Sequence, residues 1–429
     1  MRTHRSVLLN NTEAFKEKLL LWSQQFDDVV WLDSNFYQDH QAQYDAVLAV
    51  DAFTCIQTDH LDAFDKLKEY QTSTEDWIFG YLSYDLKNDV EVLKSNNFDG
   101  LHFPELYFFQ PKKIFLLKGN RLTVHYLNMV SDEFEDDFKS IEAVRVTHPK
   151  SGHQVKIHLR IHKDEYFNKL DELLSHIKRG DIYEANFCQE FYAEDTTINP
   201  VETYRKLNNI SKPPFATFLK LYDKFLLSAS PERYISKQGN IIKSQPIKGT
   251  AKRSIDSKED LRLKQELEKD EKERSENIMI VDLVRNDLSK TATKGSVEVE
   301  ELCKVYTFDQ VHQMISTVTS KVKDDMNPID VLKTTFPMGS MTGAPKISAM
   351  KIIEELEETK RGLYSGAVGY ITSNGDFDFN VVIRSILYNE TKQYVSYSVG
   401  GAITARSEPL KEYEECLIKA KAMREVLEN

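Results

Sequence analysis

The dipeptide Asn374-Gly375, set between two alternating apolar and polar runs, constrains the fold more than any other local feature of this chain. Asn-Gly takes the positive φ angles of a two-residue turn at little cost, so it predicts an antiparallel hairpin. Its strands are expected over about Gly366 to Thr372 and Asp376 to Tyr388, with a third from Tyr394 to Thr404. A second turn, Lys237-Gln238-Gly239-Asn240, follows the strand-like run Arg233 to Ser236. Trp77 to Tyr84, Leu106 to Phe109, Lys113 to Leu117, Asp181 to Phe191, Phe215 to Leu219 and Lys224 to Ser228 also read as strands. Helices are interleaved. Thr12 to Phe26 carries an apolar stripe of Phe15, Leu19, Leu20 and Trp22. Lys163 to Arg179 reads as a helix stopped by Gly180. Ser254 to about Leu288 reads as one long helix, and a last helix starts after Ser407 with Pro409 in its first turn. Hairpins mixed with helices, without strict alternation, point to an α+β fold with largely antiparallel sheets.

The chain has 429 residues, enough for two or three domains. A polar, turn-rich stretch at Thr147 to Gly152 suggests a division into an N-terminal region, 1–150, and a second part, 151–429. The formal net charge of −12 argues against a nucleic-acid surface, which needs clustered cations. It leaves room for a locally positive pocket that takes a small anion. Cys55, Cys188, Cys303 and Cys416 form no CxxC pair, so neither a zinc site nor a redox dithiol is signalled. No apolar run reaches the roughly 20 residues of a membrane span, and the N-terminal run is too short for a signal peptide. A soluble, cytoplasmic protein is expected.

Two stretches point to chemistry. In Gln245-Pro246-Ile247-Lys248-Gly249-Thr250 a lysine stands between an apolar residue and a glycine. Burial or neighbouring cations would push such an amine toward its neutral, nucleophilic form, and Gly249 lets backbone approach a ligand. A solvated lysine at a strand end has the same local pattern. In Gly339 to Lys346, Pro345 marks the start of a helix through about Glu357. The amides of Thr342, Gly343 and Ala344 would then face an anion ahead of the helix, or simply cap it. The stretch lacks the Gly-Lys-Ser/Thr ending of a nucleotide P-loop. Glu276 lies where a charged helix turns apolar, and Glu412, Glu414 and Glu415 lie on the last helix; each is a surface charge or a cation ligand. Arg384 interrupts the apolar run Val381 to Leu387 and needs an anionic partner, from a ligand or from the protein.

Taken in order, SASPERY, QPIKGTAKR, ERSENIMIVDLVRNDL, FPMGSMTGAPK, LYSGAVGY, VIRSI, VGGAIT and EYEE resemble the chorismate-utilising enzyme family from about His158 to the C-terminus, and more loosely before it. The resemblance implies a four-layer α/β/β/α core with two orthogonally packed, largely antiparallel sheets, into which both parts of the chain merge. Within the family, alanine before Gly-Thr is typical of the anthranilate synthase branch. Lysine is typical of the aminodeoxychorismate synthase component I branch, and this chain has Lys248.

That branch implies amination of chorismate to 4-amino-4-deoxychorismate for para-aminobenzoate and folate. Lys248 would be the covalent nucleophile and Glu232 the general acid/base. Glu276 and Glu415 would hold magnesium, whose charge would help depress the lysine pKa. Gly249, Thr250, Thr342, Gly343, Ala344, Tyr364, Arg384, Gly400 and Gly401 match substrate-contacting positions. The stretch Pro213 to Ala216, with Pro214, Phe215 and Ala216 at its centre, matches a region that binds tryptophan in some members. No glutamine amidotransferase segment is visible, so a separate amidotransferase is the expected source of ammonia. Some positions depart from the pattern: Gln313 stands where histidine is common, Ala402 replaces a third glycine, and Glu184 stands where water-adding relatives carry a base lysine. Anthranilate synthesis and a catalytically inactive ligand-binding protein are the competing readings.

Overall fold

The computed structural model describes residues 1–37, 43–147, 155–308 and 311–428. Most of the turn-rich stretch Thr147 to Gly152 therefore lies outside the described residues. Every ladder between its named strands is antiparallel. Side chains alternate across a strand, and that alternation sorts the apolar residues into layers. On strand Asp28–Asp33, Val29 and Trp31 face one cluster and Val30 faces another. On strand Leu106–Lys118, Leu106 and Phe108 point one way and Tyr107 and Phe109 the other.

One outer cluster packs helices Lys163–Arg179, Pro200–Ser211, Lys346–Leu356 and Pro409–Glu428 on the first sheet, through Tyr166, Tyr204, Ile353 and Met423 among others. A second outer cluster packs helices Ala63–Thr74, Glu271–Ser289 and Pro328–Thr335 on the second sheet, through Phe64, Ile280 and Val331. The third lies between the sheets, with Ala49, Phe79, Leu226 and Val368 fully buried. The result is helices, sheet, sheet, helices: the α+β layering expected above.

Several chains pass from one sheet to the other. Ala46–Thr58 and Leu106–Lys118 run opposite each other over their whole length, with a register shift between Ala52 and Thr54 next to Asp51 at φ 61. A bulge of this kind bends a strand and lets it serve both sheets. Strand Lys224–Ser230 pairs in the first sheet, and after Pro231 and Glu232 the chain continues as Arg233–Gln238 in the second. Strand Phe377–Val381 crosses the opposite way to Ser385–Asn389. The two steps lie side by side: Val381 N–H donates to the Glu232 carbonyl (3.0 Å) and Ala229 N–H to the Arg384 carbonyl (3.1 Å).

The Asn374-Gly375 hairpin is present, Ala367–Ile371 against Phe377–Val381, with Gly375 at φ 76. Its second strand is shorter than expected. The run to Tyr388 breaks at Val382 to Arg384, where Arg384 takes φ 51, so this arginine sits at a crossover and not inside a strand. The expected helix Ser254 to Leu288 is two, Ser257–Lys269 and Glu271–Ser289. Asp270 leaves the helical region and its side chain caps the second at Glu273 N–H. The strand expected from Asp181 starts at Glu184, and the first helix ends at Trp22. Strands Asp28–Asp33 and Ile78–Leu82 pair with Phe215–Leu221 and Ala367–Ile371, so both parts of the chain share the sheets. Among the described residues no helix is long and apolar enough to cross a membrane.

Candidate active site

Lys248 owes its position to an irregularity. Strand Ile247–Lys252 pairs Ile247 with Ile315 and Thr250 with Gln313, so Lys248 and Gly249 lie in a bulge. Bulges re-aim side chains, and Gly249 supplies the positive φ (+90) that this one requires. The amine is carried inward to Glu184, with Nζ 3.2 Å from Oε1. Glu184 opens strand Glu184–Ala193 and is 1% exposed. It is fixed by the short strand Gly343–Ala344, which pairs with Ala185 and Glu184. Gly343 is required there, because a Cβ would stand 2.1 Å from the Glu184 carbonyl oxygen.

Glu232 and Arg384 come from the paired crossovers. Glu232 is buried, and burial pushes its carboxyl up to about 7 against the pull of Ser340, Lys248 and Arg384. Burial lowers the Arg384 guanidinium pKa, with Glu232 the opposing charge. Among the described residues no hydrogen bond or ion pair forms to the Arg384 side chain.

Helix Glu271–Ser289 brings Glu273 and Glu276, and helix Pro409–Glu428 brings Glu412 and Glu415. The Glu276 carboxyl is raised to about 7, chiefly by burial. Lys272 lies between Glu276 (3.8 Å) and Glu412 (3.5 Å), while Lys419 pairs with Glu415 (2.7 Å) and donates to the Gly400 carbonyl (2.9 Å). Gly401 borders this corner, and a Cβ there would meet the Glu412 and Glu415 carboxylates and Lys419 Nζ at ordinary contact distance (3.6–3.7 Å). The Glu276 Oε1 atom is buried without a hydrogen bond. Among the described residues no three ligating side chains converge closely enough to hold a metal ion, but a carboxylate oxygen without a hydrogen bond, near the Glu273 carboxylate, is the kind of ligand a hard divalent cation takes.

Without a bound cation, the carboxylates around Lys248 set its charge. Burial alone would favour the neutral form, but Glu184, Glu276 and Glu232 outweigh it and raise the Lys248 pKa. In the protein by itself Lys248 is an ammonium. Residues 342–344 are tied into the fold through their backbone. Thr342 N–H donates to the Gly339 carbonyl, while the Thr342 and Ala344 carbonyls accept from Asn186 and Tyr183. This stretch therefore builds the floor under Glu184, and one of its three amides, that of Thr342, turns back into its own loop.

The structure thus brings together Lys248, Glu232, Glu276, Arg384 and Glu415, with Gly249, Gly343 and Gly401 shaping the backbone between them. Thr250 is exposed and lies opposite Gln313. Tyr364 lies between the sheets, its hydroxyl 3.6 Å from Cys188 Sγ, and Gly400 is opposite Cys188. Pro214 and Phe215 line a separate pocket with Tyr37, Ile247 and Phe308, and Ala216 lines its neighbour with Tyr44 and Tyr370. His312, next to Gln313, faces away and contacts Asp260 (3.1 Å). Sequence reasoning missed Glu273, Lys272 and Lys419. The repeated Glu-x-x-Glu spacing, 273/276 and 412/415, was the available signal, because it puts both carboxylates on one helix face.

A lysine among carboxylates, with an arginine that lacks a hydrogen-bond partner nearby in a two-sheet core, is an arrangement suited to a small anionic ligand. The chain belongs to the chorismate binding enzyme family, which it matches over residues 26–425. It is 35% identical over 355 residues to the anthranilate synthase component I-like protein of Synechocystis, covering 82% of this chain and 72% of the relative. It is 36% identical over 372 residues to an aminodeoxychorismate synthase of Streptomyces griseus, covering 82% of this chain and 50% of that longer protein. The crystal structure of anthranilate synthase component I from Streptococcus pneumoniae superposes with a TM-score of 0.77 at 26% identity, over 90% of this chain and 93% of that one.

Proposed function

We propose that this chain is the aminodeoxychorismate-forming member of the family, a transaminase-type enzyme that converts chorismate and ammonia to 4-amino-4-deoxychorismate. The observation that carries the reading is the Lys248 amine, turned inward by its bulge and held by Glu184. An aminating enzyme that works without a covalent step does not need a lysine there. Arg384 binds a substrate carboxylate, the anionic partner it lacks in the protein alone. Glu232, with a pKa near 7, is half-protonated at neutral pH and donates its proton to the departing 4-hydroxyl. Lys248 bonds to C2 as that hydroxyl leaves as water, and ammonia then adds at C4 and expels the lysine amine.

Glu276 and Glu415 would hold magnesium, with Glu273 and Glu412 alongside; when bound, the ion supplies positive charge for the ring carboxylate. Ammonia comes from a partner glutamine amidotransferase, and a separate lyase completes para-aminobenzoate for folate synthesis. The pocket at Pro214 and Phe215, with its neighbour at Ala216, is the seat for an aromatic amino acid such as tryptophan. The deciding experiment is product analysis with chorismate, magnesium and ammonium salts, with and without added lyase. The reading expects slow formation of the C4-aminated compound, and an adduct on Lys248 by intact-protein mass spectrometry. Release of fluorescent ortho-aminobenzoate with no adduct would assign the anthranilate branch instead. No consumption of chorismate would leave a binding protein.

A further inference from the structure

Lys248 presents a difficulty that the proposed chemistry must resolve. The amine attacks only when uncharged, yet its surroundings favour the ammonium. Charged groups face it from several elements. Glu184 comes from strand Glu184–Ala193, Glu232 from the crossover, Glu273 and Glu276 from helix Glu271–Ser289, and Glu415 from helix Pro409–Glu428. Lys272 and Lys419 are the cations behind them.

These carboxylates are not equivalent. Glu232 is engaged by Ser340 and serves the leaving hydroxyl. Glu276 and Glu415 lie at the corner assigned to the cation. Glu184 alone makes an ion pair to the amine, through Oε1 at 3.2 Å. Its other oxygen, Oε2, is buried with no hydrogen-bond partner. Buried polar atoms are almost always satisfied, and an unsatisfied one is open to a proton or a ligand.

We infer that Glu184 is the proton acceptor for Lys248: it holds the ammonium at rest, takes one proton as the amine attacks, and returns it when the amine is expelled. The inference rests on the aminodeoxychorismate reading. The steps balance. Proton transfer turns the ammonium and carboxylate into a neutral amine and a carboxylic acid. The amine lone pair forms the N–C2 bond while the C4–O bond breaks, and the Glu232 proton leaves with the hydroxyl as water. Ammonia forms the C4–N bond, the N–C2 bond breaks, and Lys248 departs as a neutral amine that recovers its proton from Glu184. The C4 ammonium returns one proton to Glu232. Net, chorismate and ammonia give the amine and water, with both glutamates restored.

This role makes Glu184 a positioning and proton-holding residue that acts through Lys248. The test pairs Glu184→Gln with Glu184→Asp in the full-length enzyme, using chorismate, magnesium and ammonium salts across pH. Reaction of Lys248 with trinitrobenzenesulfonate at each pH, read by peptide mass spectrometry, reports the charge on the amine. In Glu184→Gln we expect kcat to fall about 100-fold with KM within about threefold. The labelling midpoint of Lys248 should move to lower pH. Glu184→Asp should keep the parent midpoint and recover part of kcat. A Glu184→Gln enzyme with parental kcat, or with an unmoved midpoint, overturns the inference. If Glu184→Gln does not fold, Glu184→Asp decides: parental kcat overturns it, and a tenfold or larger loss with the midpoint kept supports it. A parent enzyme that forms no C4-aminated product breaks the functional reading itself. A parent that forms it, beside an equally active Glu184→Gln, breaks only the role of Glu184.

Discussion

Two neighbouring regions of this protein bury the same kinds of cation and treat them in opposite ways. Around the helix Lys346–Leu356, Lys346 binds Asp287 and the Pro337 carbonyl (2.9 Å). Arg361 in the same region binds both Glu357 oxygens (2.6 and 2.9 Å) and the Met341 and Asn186 carbonyls (2.7 Å each). At the candidate site, Lys248 has one ion pair, at 3.2 Å, and Arg384 has none among the described residues. A buried cation with every donor used ties elements together. One left short of partners costs stability and is open to a ligand. The saturated pair therefore belongs to the scaffold. It anchors the stretch whose Gly343–Ala344 strand supports Glu184, and the unsaturated pair is the one the proposed chemistry uses.

The contrast is broken most severely by Lys248→Ala. We expect C4 amination to fall by about three orders of magnitude or more, with the thermal transition close to the parent. A variant that keeps its rate would remove the lysine from the reaction. Arg361→Met should do the reverse, unfolding the protein at lower denaturant by about 3–5 kcal/mol because Glu357 is left buried and unpaired. Equilibrium denaturation measures it, and a near-neutral result would show that Glu357 finds another partner. Arg384→Met comes next. KM for chorismate should rise by about 100-fold while stability stays level or improves, since no protein partner is orphaned. An equal loss of stability in the two arginine variants would erase the distinction.

The smallest effect is on pH. The Glu232 carboxyl moves from an ordinary 4.5 to about 7 in the fold, so the folded chain binds this proton more tightly than the unfolded one. Its contribution is complete below about pH 4.5 and is lost as pH rises through about 7, up to about 3 kcal/mol. Glu232→Gln should flatten that part of the stability–pH curve relative to the parent, both measured without divalent cations so that Glu276 contributes equally to each. A parallel pair of curves would mean that Glu232 is not held protonated.

The features legible in the sequence are those set by local chemistry. Asn374-Gly375 makes its hairpin and Gly180 ends its helix because backbone angles there depend on one or two residues. The break at Arg384 was not legible: Val381 to Leu387 is apolar apart from Arg384 and Ser385, and periodicity does not tell a long strand from two strands in different sheets. The split at Asp270 hid in a strongly charged stretch, where a capping aspartate looks like any other acid. At the candidate site, the motif lysine could be named from sequence, but its charge could not. That charge is set by acids from strands and helices far apart in the chain, among them Glu184, which starts a strand 64 residues earlier. The saturation of Lys346 was equally hidden, since its partner Asp287 is 59 residues away.

The paired crossings at Glu232 and Arg384 tie two of the site's charged groups to one seam of backbone. Both chains step between the sheets at one seam and are stitched to each other there, so prising the sheets apart would tear the acid from the arginine. That seam holds the two groups at a fixed spacing, whereas Glu276 and Glu415 ride on helices of the outer layers.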